Sequence, residues 1–416
     1  MNDFKFIDLF AGIGGFHKAL ESLGGKCVLA SEIDEECKEV YSINFPDTPI
    51  TGDIKELNPE LIKNKSEEPV PDHDVLCAGF PCQPFSKAGN RLGLEDTRGT
   101  LFYHIAKIIE RKRPEYLILE NVPNLIGHNE GKTWQTISNV LNDLGYIFDT
   151  LPLKFSPHLL GIPQIRERVF ILAINNRDYT SKHVSPIRIE RPISPKCSID
   201  DILIDDNEIP DIDNYKLSEK EIKRVEMWND FINGIEGPLP GFPIWADQFR
   251  ETYEIDDLPK WKQNWLIKNR KLYKDNKEFI DGWFTRHNNL EDLHQTHTKL
   301  EWQANDAERD LWKLIFHFRP SGMRVKKPDY FPALVAITQT SVVGKMKRRI
   351  TPREAARLQS FPDTFEIHPI DKIAYKQFGN SVNVDVVKYL CVKLMELSSY
   401  DLEVTNSTPQ TELFNQ

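Results

Sequence analysis

The 416-residue sequence has little of what would place it outside a cell or across a membrane. Its six cysteines (27, 37, 77, 82, 197 and 391) are scattered and form no Cys-x-x-Cys pair. That excludes a disulfide-stapled scaffold and leaves a metal without a ligand set. His294 and His297 are spaced i, i+3 but no cysteine accompanies them, so no metal is expected there either. The longest uncharged stretch, Tyr330–Gly344, is 15 residues and includes Thr, Gln and Ser. A membrane span needs roughly 20 apolar residues. The start, Met1 to Lys5, shows no basic segment leading into an apolar run, so no secretory signal is expected. A cytoplasmic chain with free thiols and no membrane partner is the expectation. Positive charge is also short: 53 Lys and Arg face 63 Asp and Glu, a net charge of −10. Evenly spread, that charge would disfavour a nucleic-acid partner. There is no internal repeat.

What is present reads as an ordinary soluble globular protein, 40% hydrophobic and 28% charged, long enough for two or three domains. Short apolar runs at Lys5–Phe10, Cys27–Ala30, His73–Ala78, Tyr116–Leu119 and Val169–Ile174 alternate with helical patterns. The helical patterns lie at Phe16–Leu23, up to Asn44, at Thr100–Arg111 and at Thr133–Leu144. This alternation predicts an α/β fold, a parallel sheet covered on both faces. The style then changes. Residues 200–213 carry seven acids and no base, which suggests a solvated loop or linker. Seven of the eight tryptophans fall between Trp228 and Trp312. Alternation returns at Thr351-Pro-Arg-Glu354, a helix start with Thr as N-cap and Glu three residues on. Ser381–Leu397 is a further helix, and a polar tail at 401–416 should fray.

Two segments carry chemistry. Asp8-Leu-Phe-Ala-Gly-Ile-Gly-Gly-Phe16 joins a strand to a helix, and its glycines at 12, 14 and 15 permit a sharp turn close to a ligand. Glu32 ends the next strand, where an acid can hold ribose hydroxyls. The dinucleotide pattern would need a third glycine at position 17, which is His17. An adenosine ligand without a pyrophosphate suits what remains. The second segment, Gly79-Phe-Pro-Cys-Gln-Pro-Phe-Ser86, follows a strand end, where α/β sheets bind ligands. Prolines at 81 and 84 fix the backbone around Cys82. A loop rich in Gly, Lys, Asn and Arg follows to Gly99 and could close over a substrate.

The cysteine segment resembles the catalytic loop of the DNA (cytosine-5)-methyltransferases, bacterial restriction-modification type. Seven further motifs match that family in its usual order: Asp8–Phe16, Ser31-Glu-Ile-Asp34, Gly52-Asp-Ile54, Glu120-Asn-Val122, Gln164-Ile-Arg-Glu-Arg168 and the C-terminal pair Thr351–Asp363 and Gln377-Phe-Gly-Asn-Ser-Val382. The resemblance covers about 1–175 and 350–398. It implies a Rossmann-like, doubly wound S-adenosylmethionine-dependent fold with a second, smaller target-recognition domain. It also implies a discontinuous catalytic domain, 1–175 with 350–400, around a recognition domain at 176–349. Cys82 would be the nucleophile, with Glu120, Arg166 and Arg168 as catalytic partners. Arg168 would face the cytosine, and Arg166 would position the loop or a phosphate. The cofactor would be S-adenosylmethionine, leaving as S-adenosylhomocysteine, with no metal. Phe10, Ala11, Gly12, Gly14, Gly15, Glu32, Ile33, Asp53, Ile54, Pro81, Leu101 and Asn380 would hold it.

Between Lys313 and Arg357 stand eleven Lys and Arg against two acids, Asp329 and Glu354. This +9 stretch, beside an acidic remainder, predicts a basic edge facing DNA and salt-sensitive binding. Arg324, Lys326, Thr338, Gln339, Thr340, Lys345 and Arg348 are the candidate DNA contacts within it. Ser86, Lys87 and Arg91 are candidates in the catalytic loop. Lys260 to Lys274 holds six bases and no acid, with Trp261, Trp265 and Leu272 on one helical face, which predicts a packed amphipathic helix. A monomer acting on double-stranded DNA is the leading reading. A tRNA methyltransferase of the same family and a catalytically dead DNA-binding homologue remain open alternatives.

Overall fold

A computed structural model of the chain describes residues 3–61, 68–81, 97, 100–176, 187–193, 195–334 and 340–405, the last eight as backbone only. The chain divides into two compact units, Met1–Lys196 with Ala356–Gln416, and Cys197–Ala355. Sequence placed the divisions near 175 and 350.

The first unit is built on one sheet. Strands β1 (Phe4–Leu9), β2 (Gly25–Ser31), β3 (Ile50–Thr51), β4 (Val75–Gly79) and β5 (Tyr116–Asn121) pair in parallel in the order β3-β2-β1-β4-β5. Helices α1 (Gly15–Glu21), α2 (Glu35–Asn44), α3 (Leu101–Lys112) and α4 (Lys132–Asp143) lie between strands in the chain. Strands this apolar, such as Val75 to Ala78 with no exposure, need cover on both faces, and helical crossovers supply it. The core joins β1, β4 and β5 to α3 and α4 through Leu76, Leu117, Ile105, Ile108 and Ile137.

The sheet is not wholly parallel. Strands β6 (Tyr146–Phe148) and β7 (Leu153–Phe155) escaped the pattern reading because each is three residues long. Strand β8 (Arg168–Asn175) runs antiparallel to β5, β6 and β7. A 3₁₀ turn and the two-residue strand Gln164–Ile165, with no α-helix, separate Phe155 from Arg168, and a parallel return needs a longer crossover.

The second unit packs helices α5 (Glu219–Gly234), α6 (Lys260–Asp275) and α7 (Lys277–Arg286) with a mixed sheet. The core gathers Trp228, Phe231, Trp283, Trp302, Phe316 and Val325. Most of the tryptophan-rich stretch is therefore core. The acidic segment 200–213 is not a free linker: Lys345 pairs with Asp200, and Arg348 with Asp206 at 2.7 Å. The capping box is present, with Glu354 N–H donating to Thr351 Oγ1 and Thr351 N–H to Glu354 Oε2. It opens α8 (Pro352–Leu358).

In the first unit the chain resumes with α9 (Asp371–Asn380) and α10 (Val384–Thr405). Helix α10 runs past Asp401, where fraying was expected. No helix among the described residues is long and apolar enough to cross a membrane.

Candidate active site

Five parallel strands end on one edge of the first sheet, and the resemblance motifs sit there. The glycine turn follows β1. Phe10 and Gly12 both take left-handed backbone, φ 58° and 55°. A side chain added at Gly12 would meet nothing within 4 Å. The other two glycines serve packing. A Cβ at Gly14 would lie 2.3 Å from the Phe45 ring, and one at Gly15 2.7 Å from Val382. Gly14 and Gly15, expected at the cofactor, thus face protein, and Gly12 alone leaves room for a ligand. Ala11 is buried.

These differences separate two substitutions. Gly14→Ala, at φ 89° and in contact with Phe45, is expected to cost about 1–3 kcal/mol of stability. Gly12→Ala is expected to cost about 1 kcal/mol but to weaken S-adenosylmethionine binding. Denaturant midpoints and calorimetric titration read the two effects. Equal loss of stability in both would contradict the distinction.

Glu32 is preset for a ligand. Its Oε2 accepts the Gly12 N–H, and its Oε1 accepts those of Ile33 and Asp34, each at 2.8 Å. Three donors orient the carboxylate while it stays partly accessible. Ile33 beside it is 69% exposed, an apolar surface with no protein cover. Asp53 follows β3 and accepts the Lys55 N–H at 3.0 Å. Ile54 differs from expectation: its side chain is buried in the core, so only its backbone can face a ligand. Leu101 opens α3 and is partly buried, Pro81 is exposed after β4, and Asn380 is exposed at the end of α9. An open turn, an oriented acid and an exposed apolar side chain fit an adenosine-bearing cofactor.

Asp8, beneath the turn, was not singled out. It is fully buried, and its Oδ2 accepts the His17 N–H at 3.2 Å while Oδ1 has no partner. Burial pushes its pKa up to about 8, against the opposing His17 hydrogen bond. The folded state therefore holds this proton more tightly than the unfolded one. Its contribution to stability is complete below 3.8 and is lost as pH rises towards about 8. Asp8→Asn, which mimics the protonated acid, is expected to flatten the decline in stability between those limits. Denaturation at a series of pH values checks this, and an unchanged slope would refute it.

The second group sits at the ends of β4 and β5. Glu120 pairs with Gly79 in register, and a Cβ at Gly79 would lie 3.5 Å from Glu120 Oε2. Arg168, at the start of β8, places Nε 3.2 Å from Glu120 Oε1. Burial raises the Glu120 pKa, and the guanidinium groups of Arg168 and Arg166 oppose that rise. A glutamate so placed keeps a proton to higher pH than an ordinary carboxyl.

Arg166 differs from expectation. It is 3% exposed, and its Nη2 donates to the carbonyls of Gly379 and Ser381, both at 2.9 Å. It holds the segment around Asn380 and is too buried for the phosphate contact, while the loop it was also expected to position lies outside the described residues. Arg166 and Arg168 divide the work because only Arg168 is in the strand. Asn121, also missed, donates from Nδ2 to the Phe80 carbonyl at 2.7 Å and so anchors the backbone entering the cysteine segment. Asn beside Glu on one strand was the available signal. Cys82, Ser86, Lys87 and Arg91 lie outside the described residues.

A family model described as C-5 cytosine-specific DNA methylase matches residues 4–396. The chain belongs to this family. The methylase is 37% identical to the Type II methyltransferase M.AluI of Cellulosimicrobium cellulans, over 93% of this chain and 91% of that protein. It is 30% identical to the Type II methyltransferase M.HhaI of Haemophilus parahaemolyticus, over 94% of each. Among solved structures, a putative DNA modification methyltransferase encoded within an E. coli prophage aligns over 95% of this chain and 99% of that one. Its TM-score is 0.55 at 23% identity, a likeness of fold. The methylase is thus a DNA (cytosine-5)-methyltransferase, and enzymes of this kind use S-adenosylmethionine.

In the second unit the methylase's basic stretch is largely neutralised. Lys313 pairs with Glu308, Arg324 with Glu301, Lys327 with Asp306 and Arg349 with Glu221, at 2.5–2.7 Å. Lys345 pairs with Asp200. Arg348, expected on DNA, is fully buried between Glu354 and Asp206. A sum over sequence neighbours cannot see partners a hundred residues away, so the strongly basic edge does not survive folding. Thr340 is 8% exposed, and Thr338 and Gln339 lie outside the described residues.

A cationic face remains on two of the strands, although Glu301 on the adjacent strand pairs with Arg324 there. The antiparallel strands Ile315–Arg319 and Gly322–Lys326 pair His317 with Arg324 and Ile315 with Lys326. Period-two alternation puts His317, Arg319, Arg324 and Lys326 on one face and the core residues Phe316, Met323 and Val325 on the other. Burial and the neighbouring Arg324 lower the Lys326 pKa. Burial and the same cations push His317 down to about 3, and it shares a 2.7 Å hydrogen bond with Ser341. Arg319 Nη1 is buried without a partner.

Proposed function

We propose that this chain methylates carbon 5 of a cytosine rotated out of a specific duplex DNA sequence, through a transient bond between Cys82 and carbon 6. The observation that carries the reading is Glu120: 12% exposed, its pKa raised by desolvation, and held by Arg168 at the strand end next to the cysteine segment.

Carbon 5 of cytosine is a poor nucleophile. Thiolate addition at carbon 6 ends the ring's aromaticity and makes carbon 5 enamine-like. S-adenosylmethionine, when bound, supplies an electrophilic methyl group. Negative charge moves to ring nitrogen N3 during addition, and the Glu120 proton stabilises it there. Arg168 steadies that carboxyl and faces the base. Loss of the carbon 5 proton to water and expulsion of Cys82 restore the ring. Glu32 holds the ribose, and Phe10, Ile33 and Asp53 hold the adenine, with Pro81, Leu101 and Asn380 completing the wall. A duplex hides the target carbon in its stack, so the base must be extruded. Ser86, Lys87 and Arg91 contact the strand beside it. Arg319, Arg324 and Lys326 take phosphates in the second unit. The buried, partnerless Arg319 nitrogen supports that assignment.

The names of the relatives support a bacterial modification enzyme that protects host DNA from a partner endonuclease, and we take it to act as a cytoplasmic monomer. Incubation with methyl-labelled S-adenosylmethionine is expected to label duplex DNA and not tRNA. Covalent capture on 5-fluorocytosine DNA tests the adduct, and bisulfite sequencing of DNA from a host expressing the chain gives the site. Labelled tRNA with unlabelled DNA would overturn the reading.

A further inference from the structure

One face of α6 takes no part in anything described above. The buried positions of this helix are Gln263, Leu266 and Asn269, spaced i, i+3, i+6 along one side. Two of the three are polar; of the residues expected to pack, Leu272 lies against the core and Trp265 is partly buried, while Trp261 is exposed. Asn269 accepts the Trp245 N–H at 2.7 Å and donates to the Pro243 carbonyl at 3.0 Å. Gln263 donates to the carbonyls of Asp256 and Leu258. These bonds fix the rotation of the helix and so decide what faces solvent.

At about 100° per residue Lys260, Lys268 and Lys271 fall on the opposite half of the helix and Lys274 on its flank beside Arg270, all four exposed. Ile267 among them is 54% exposed, and Trp261 at the edge is 55% exposed. Lys271 pairs with Asp275. Lys260, Lys268 and Lys274 have no acidic partner among the described residues. Trp261 stands at the open end of an edge-to-face ladder, 5.1 Å from Trp265, which lies 5.4 Å from Trp245. The Lys299 ammonium lies over the Trp245 ring at 5.3 Å. The acidic segment Glu251–Asp257 is tied to the other edge through Arg270 and Gln263.

We infer that this face of α6 is a second contact for the sugar–phosphate backbone of duplex DNA, separate from the cationic strands of the same unit. The inference rests on the proposed action on DNA. Lys260 to Lys274 spans about 21 Å of helix at 1.5 Å per residue. A duplex offers a negative charge about every 1.7 Å of its axis, so a row of lysines can engage it without regard to base sequence. Lysine is a point charge without the planar fork of arginine, which suits backbone attraction over base reading. The exposed Trp261 ring and Ile267 supply apolar surface for deoxyribose.

The test uses the full chain and a random-sequence DNA duplex. Acetylation footprinting is expected to show Lys260, Lys268, Lys271 and Lys274 protected when duplex is present. The variant with all four changed to glutamine is expected to bind at least about tenfold more weakly at low salt, with a salt slope shallower by about 3. Circular dichroism and S-adenosylmethionine binding control for folding. Unprotected lysines in wild-type protein that binds and methylates DNA would overturn this inference alone, whatever the variant's folding. Protection that depends on protein concentration and not on DNA would overturn it in favour of a second copy. Failure of the wild-type chain to bind or methylate duplex would instead defeat the proposed function.

Discussion

Cys82→Ala is expected to abolish methyl transfer while S-adenosylmethionine binding survives. The thiolate is the only group assigned to bond with carbon 6, and without that bond carbon 5 stays a poor nucleophile. Loss of a covalent nucleophile costs a factor on the order of 10³ or more in turnover. The cofactor cradle at Gly12 and Glu32 is made by β1, β2 and their turns, none of which contains Cys82. Binding and turnover should therefore separate. Methyl incorporation into DNA and calorimetric titration with S-adenosylmethionine read the two. Turnover within tenfold of wild type in this variant would refute the proposed mechanism.

Arg348→Met should produce the largest loss of stability. Arg348 and Glu354 are both fully buried, joined by bonds of 2.9 and 2.8 Å. Arg348 also reaches Asp206 and the Ile204 carbonyl. Removing it leaves the Glu354 carboxylate with only the N–H groups of Ile204 and Thr351. A buried ion pair broken from one side costs roughly 3–5 kcal/mol. Seven tryptophans lie between Trp228 and Trp312, so fluorescence during denaturation reports on this unit. Adding Glu354→Gln should recover part of the loss, since the stranded charge is then gone. The salt slope of DNA binding should not change, which separates a buried strut from a phosphate contact. A shallower slope with unchanged stability would restore Arg348 to the DNA surface.

Much of the first unit is legible from sequence because its signals are local. Alternating apolar strands and helices, a glycine turn, and an acid at the end of β2 each lie within a few residues of what they position. The same holds for Thr351 and Glu354, whose spacing marks a helix start. What escapes is non-local. Strands β6 and β7 are too short to show periodicity, so β8 is legible as a strand but its antiparallel direction between β5 and β6 is not. Arg166 lies near Arg168 in sequence yet reaches carbonyls 213 and 215 positions away. Lys345 and Arg348 read as a basic run only because Asp200 and Asp206 are remote in the chain. Gly14 and Gly15 carry the same letter as Gly12, and only Phe45 and Val382 show that their role is packing.

The Arg166 tie to Gly379 and Ser381 also bears on biosynthesis. Helix α1 packs against α10, and Lys376 bonds to Asp34 at 2.8 Å. Helix α1 therefore waits for α10, made hundreds of residues later, before its unit is complete. The unit at Cys197–Ala355 is contiguous and can close on itself earlier. A nascent chain stalled before Ala356 would hold that entire unit while the cofactor cradle still lacked Arg166's partners. Synthesis itself would then keep the newborn enzyme silent until α9 and α10 emerge.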